Sequence, residues 1–185
     1  MHTDLEQLKQ EFEAIRADAG RLMTGMRDDQ FSWRAAAGRW SIGECLTHLN
    51  VVDGLDVDLL ARAVTDARAN GWTGTGPFRY GKLSAWFIRK LEPPPQMRVK
   101  APKVYVPPPD QPRERVLAEF HRIHERLVEI LATADGLDLA RIKVPTPVAS
   151  FIRFSFTPRM RVIAAHDRRH LWQAWQVPQS PGFPG

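Results

Sequence analysis

Cysteine is nearly absent from this 185-residue chain: Cys45 stands alone, so no internal disulfide can form and the fold rests on packing or on a bound ion. Also missing is any apolar run near the ~20 residues that a membrane-spanning helix needs. The opening MHTDLEQLKQ lacks the basic-then-apolar pattern of a secretion signal, which predicts a cytoplasmic protein with no membrane partner. No segment alternates apolar and polar residues over a strand's length, and nothing repeats at a fixed period. Charge of one sign is in short supply too. The 26 Lys and Arg against 21 Asp and Glu leave +5, far from the balance of a disordered chain.

What is present is enough apolar material, 43% of residues, for the core of one ordinary domain. The isoelectric point near 9.8 raises nucleic acid as a partner. The basic surplus, however, is local. Arg79, Lys82, Arg89, Lys90, Arg98, Lys100 and Lys103 face only Glu92, and Arg159, Arg161, Arg168 and Arg169 cluster near the end. No zinc-finger spacing, RNP motif or basic zipper accompanies them, so nucleic acid is not an expected partner.

Helical periodicity dominates the pattern. Leu5, Leu8, Phe12, Ile15, Ala19, Leu22 and Met26 form one stripe at spacings of three and four, predicting a first helix with Thr3 as its N-cap and Asp4 and Glu6 in its first turn. The segment FSWRAAAGRW (31–40) breaks the period. Ser41 and Glu44 then form a capping box ahead of a second helix over 42–68, whose seam reads Cys45, His48, Val52, Leu55 and Leu59. From 71 to 112 the chain is turn-rich, with a short helix over 82–91 and eight of the 15 prolines between 93 and 112. This predicts a long irregular crossover, with no strand beyond a stray extended piece inside it.

Val116, Leu117, Phe120, Ile123, Leu127, Ile130 and Leu131 mark a third helix over 112–134, stopped by Gly136. Thr157 and Pro158 read as N-cap and first position of a fourth, which runs to about Gln176. The fold class that follows is all-α: a four-helix bundle with a long irregular crossover between helices two and three. It forms one domain over 1–177, followed by a proline-rich tail over 178–185.

Six histidines carry the chemistry. His2 is terminal. His166 and His170 stand four apart, one turn along one helix face, and His48 lies on the seam of another helix. A buried imidazole without a partner costs free energy. One metal ion shared by His48, His166 and His170 accounts for all three, and three nitrogen ligands leave coordination positions open for water or substrate. The plainer account gives each ring a carboxylate or carbonyl partner. His121 reads as a solvated or boundary residue, and His124 as a satisfied core histidine. Cys45, one turn before His48, reads as a small core residue rather than a fourth ligand. Glu44 and Asp167 are candidate outer partners for the imidazoles, although Glu44 has its capping role and Asp167 would more simply pair with a surface arginine.

The segments WRAAAGRWSIGECLTHL (33–49) and IAAHDRRHLWQ (163–173) resemble the DinB-like superfamily, especially its DinB_2 branch. The resemblance implies a metal-binding four-helix bundle with His48, His166 and His170 as ligands of a divalent ion, zinc or nickel, and a homodimer. Relatives include thiol-dependent S-transferases and isomerases that use low-molecular-weight thiols. The expectation is therefore a metal-dependent enzyme acting on a small-molecule substrate, by thiol-dependent S-transfer or by hydrolysis. Arg168, Arg169 or the basic crossover would hold the carboxylates of such a thiol, against the simpler reading of solvated surface charge. The alternative is a non-enzymatic metal-binding stress-response or interaction protein, with Trp172 and Trp175 partly in an interface. The proline-rich crossover and tail depart from what the motifs explain.

Overall fold

Each long apolar stripe becomes a helix in the computed structural model, which describes residues 1–95, 101–147, 149 and 151–185. The long helices are α1 (Thr3–Met23), α3 (Ile42–Ala69), α5 (Arg113–Thr133) and α6 (Phe156–Gln176); α2 (Asp28–Ser32) and α4 (Lys82–Leu91) are short. A 3₁₀ turn spans Lys103–Tyr105. Helix α3 packs against α5 and α6, and α1 packs against the same two, so the consecutive helices α1 and α3 lie diagonally across the core. Phe12, Phe120 and Phe156 fill that core from three of the four helices. Helix α4 lies outside the bundle on α6, where Leu91 meets Val162 and Ala165. No helix among the described residues is long and apolar enough to cross a membrane.

Four local expectations need correction. Helix α1 is capped by His2, whose Nδ1 accepts from the Asp4 amide at 3.2 Å, and Thr3 already lies inside the helix. Helix α6 is capped by Ser155, two residues before the expected Thr157; starting earlier brings Phe156 onto its inner face and leaves the buried Thr157 hydroxyl to accept from Tyr80 Oη at 2.8 Å. The crossover does hold one extended bridge, Thr73 to Leu137. The paired strands, though, lie between α5 and α6: β1 (Lys143–Pro145) runs antiparallel to β2 (Arg153–Ser155), with Val144 opposite Phe154. At three residues each they are too short to show an alternating pattern.

The largest correction concerns the inner face of α3. Leu55, assigned to the seam, is 45% exposed, while the buried line passes through Leu49, Asp53, Asp56, Leu60 and Val64. Two carboxylates sit where the apolar stripe was expected to continue.

The capping box at the start of α3 forms as read, with Glu44 N donating to Ser41 Oγ at 3.1 Å and Ser41 N donating to Glu44 Oε2 at 2.9 Å. The periodicity break before it opens on the end of α2, which buries Phe31 against this first turn. A Cβ on Gly43 would meet Phe31 Cε1 at 2.6 Å. Gly43→Ala is thus expected to destabilise the fold by about 1–3 kcal/mol through overpacking, despite alanine's better helix propensity, as measured by urea unfolding. At the other end of the chain, Phe183 packs edge-on against Trp33 at 5.5 Å between centroids, and Gln30 Nε2 donates to the Pro184 carbonyl at 3.0 Å.

Candidate metal centre

Helix α3 delivers His48 two turns after its capping box, and α6 delivers His166 and His170 from one face. The three rings form a tight triangle, with centroids 5.2, 4.5 and 4.6 Å apart. One ligand-capable atom of each lies within 4.8 Å of the others. The Tyr105 carbonyl, 2.7 Å from His48 Nδ1, can only accept, so it places the proton on Nδ1 and leaves the Nε2 lone pair free. That Nε2 lies 3.4 Å from His166 Nε2. Two nitrogens bound at ~2.05 Å to one tetrahedral ion would stand ~3.3 Å apart, so the pair has the spacing of a shared cation.

Burial pushes the pKa of all three imidazoles down. For His166 it falls to about 3, with the nearby His48, Arg159 and Arg169 adding to the effect. His170 is held well below its ordinary value by burial, then by His166 and His48. For His48, burial outweighs the Tyr105 bond, which favours the charged ring. The rings are neutral at neutral pH and present lone pairs rather than charges. Among the described residues none of the three bonds a carboxylate, and the buried Nδ1 of His170 has no hydrogen-bond partner. The donor set fits a borderline transition metal such as zinc or nickel better than a hard cation.

The triangle forms part of the wall of a cavity of about 810 Å³. Trp40 lies against His48 and His170, with centroids 4.8 and 5.7 Å away. Trp86, Phe87, Ile152 and Phe154 make much of the remaining wall apolar, and Arg159, Arg169 and Gln173 supply polar groups. Arg159 is buried and paired with Asp56, which fixes its guanidinium beside the histidines.

The DinB_2 profile of the DinB superfamily matches residues 11–174, a span that contains all three histidines, the whole of α3 and α5 and most of α1 and α6. The chain belongs to the DinB superfamily. Among solved structures, this DinB-superfamily chain resembles YfiT from Bacillus subtilis, described as a probable metal-dependent hydrolase with an unusual four-helix bundle topology. The likeness has a TM-score of 0.63 at 14% identity and covers 97% of this chain and 89% of that one. At this identity it speaks for the fold alone. A search of curated proteins finds no match.

Other residues singled out in the DinB-superfamily sequence take different places. Glu44 reaches no histidine; its carboxylate is held by Ser41 and by a bidentate Arg34, both contacts of the latter at 2.7 Å. Cys45 is fully buried in the core, and burial together with the negative Glu44 pushes its thiol pKa up. Native protein is therefore expected to be inert to Ellman's reagent at pH 8, and unfolded protein to release one equivalent of chromophore. His121 is a boundary residue, as expected. His124 is a core histidine, as expected; its Nδ1 is on the Phe120 carbonyl at 2.9 Å, and its Nε2 lies 3.1 Å from Asp167 Oδ2.

Asp167 corrects the sequence reading. It is fully buried rather than paired at the surface, and the arginine that pairs outward is Arg168, with Glu92 and Glu11. Asp53, which the sequence did not single out, joins it. The apolar period carried no signal for it, since the seam drawn through Val52 and Leu55 leaves position 53 off the inner face.

Proposed function

We propose that this protein is a divalent-metal-dependent enzyme acting on a largely apolar small molecule, with His48, His166 and His170 as the metal ligands and zinc or nickel as the ion. The observation that carries this reading is the convergence of three neutral ring nitrogens on the wall of an 810 Å³ apolar cavity. A divalent ion held there supplies a Lewis acid that favours the anionic form of a thiol or a water near neutral pH. The favoured chemistry is thiol-dependent S-transfer, for which the cavity has room for a low-molecular-weight thiol beside its electrophile; hydrolysis is its sibling.

The chain's own contributions follow from its contacts. The Tyr105 carbonyl fixes the tautomer and ring plane of His48. Trp40 shields one side of the triangle from water. Arg159, held by Asp56, offers positive potential to an anionic substrate group without moving to do so.

The test is a turnover screen of zinc- and nickel-loaded protein. Bacillithiol, mycothiol and glutathione are each paired with model electrophiles, and ester and amide substrates are tried without thiol. Turnover in a thiol arm that disappears on chelation supports S-transfer, and turnover only without thiol selects hydrolysis. Stoichiometric metal with no turnover in any arm overturns the enzymatic reading and favours a metal-stabilised binding protein.

A further inference from the structure

Beyond the histidine triangle, one cluster inside the bundle has no chemical account. Asp53 on α3, His124 on α5 and Asp167 on α6 place one oxygen or nitrogen each within 4.8 Å of one another. All three side chains are buried, with exposures of 1%, 0% and 0%. The Nδ1–H of His124 is committed to the Phe120 carbonyl, so a neutral ring turns the lone pair of Nε2 toward Asp167 Oδ2 at 3.1 Å. Two acceptors then face each other. The Asp53 and Asp167 carboxyls lie within hydrogen-bond reach of each other, and while both are ionised the two oxygens of Asp53 and Oδ1 of Asp167 are buried without a protein donor. Carboxylates in such surroundings need a counter-charge. Asp56, three residues from Asp53, has one in Arg159, and Arg168, whose charge reaches Asp167, is already paired with Glu92 and Glu11.

We propose that Asp53, His124 and Asp167 form a second divalent-cation site, distinct from the histidine triangle, in which each of three packed helices contributes one ligand. A divalent cation matches the two negative charges and takes the lone pair that His124 points inward. Two carboxylates and one imidazole make a harder donor set than three imidazoles, suited to a cation of the Mn²⁺ kind. Asp53 also lines the large cavity, so the cluster borders the space that the histidines face.

The site is tested with Mn²⁺ as the probe. Wild-type protein is stripped with chelator, given one equivalent of Zn²⁺ and titrated with Mn²⁺, while the electron paramagnetic resonance signal of free Mn²⁺ is followed. One equivalent of Mn²⁺ is expected to bind. Asp53→Asn and Asp167→Asn are expected to reduce that uptake to none, and His48→Ala to leave it at one equivalent. Absence of Mn²⁺ uptake by the wild type overturns the site and leaves protons or water to satisfy the carboxylates; so does full uptake by folded Asp53→Asn. Should the asparagine variants fail to fold by circular dichroism, anomalous scattering at the manganese edge from wild-type crystals decides. A peak between Asp53, His124 and Asp167 supports the site and its absence overturns it. Failure of the triangle to hold Zn²⁺ is a separate outcome, since none of its ligands belongs to this cluster.

Discussion

His166→Ala is expected to lose tightly bound zinc or nickel from the histidine triangle and, with it, the turnover that depends on the ion. Its Nε2 lies 3.4 Å from that of His48, the separation of two ligands on one ion, and burial and neighbouring charge push its pKa down to about 3. The ring therefore offers a lone pair throughout the neutral range. Loss of an outer hydrogen-bond partner costs a metal site ~10–100-fold in affinity. Loss of a ligand should cost more, beyond what survives desalting. Elemental analysis of the desalted variant, reloaded with Zn²⁺ or Ni²⁺, measures the effect. The helices should persist by circular dichroism, because the apolar core, with Phe12, Phe120 and Phe156 fully buried, does not depend on this ring. Metal content equal to wild type would exclude His166 as a ligand.

The second large effect is expected in stability. Arg159 and Asp56 are 5% and 1% exposed and form an ion pair between α6 and α3. Arg159→Met strands a buried carboxylate, and breaking a buried pair in this way costs about 3–5 kcal/mol. At ~2–4 °C per kcal/mol for a domain of this size, the melting temperature should fall by roughly 6–20 °C. Burial already raises the pKa of Asp56 against the opposing pull of Arg159, so without the arginine the carboxyl is driven further toward its protonated form. Adding Asp56→Leu to Arg159→Met removes the orphaned charge and should restore much of the loss. Urea unfolding of both single variants and the double variant measures this. A single variant as stable as wild type would mean that the pair is solvated rather than buried.

These two sites also divide what could be read in the sequence from what could not. The histidine pair at 166 and 170 is legible because four residues are one helical turn, and His48 stood out as a polar member of an apolar seam. The stripes of α1 and α5 and the Ser41–Glu44 box were equally local signals. Asp53 and Asp56 were not legible. Apolar periodicity assigns charged residues to the outside, so the seam was drawn through Leu55 instead. What holds these carboxylates inside is chemistry on other helices: Arg159 lies 103 residues from Asp56, and His124 lies 43 residues from Asp167. No spacing rule links such positions. The same reason explains why Asp167, beside two arginines in sequence, was read as a surface residue. Its direction is set by how α6 packs on α1 and α3, not by its neighbours.

The hydrogen bond from His48 Nδ1 ends on the main-chain oxygen of residue 105, not on a side chain. Every amino acid carries that oxygen. The tyrosine can therefore be exchanged for any other residue without deleting the acceptor, and a library of substitutions at position 105 would report on the aromatic ring alone while the orienting contact stayed silent. What the histidine triangle requires of the crossover is a path, not a residue identity: the chain must bring a carbonyl to this point at this angle. This gives the proline-rich sequence around it a purpose, since prolines restrict where a backbone can go without specifying what its side chains touch. The contact becomes accessible to experiment by replacing the peptide bond between residues 105 and 106 with an ester, which weakens the acceptor and leaves every side chain in place.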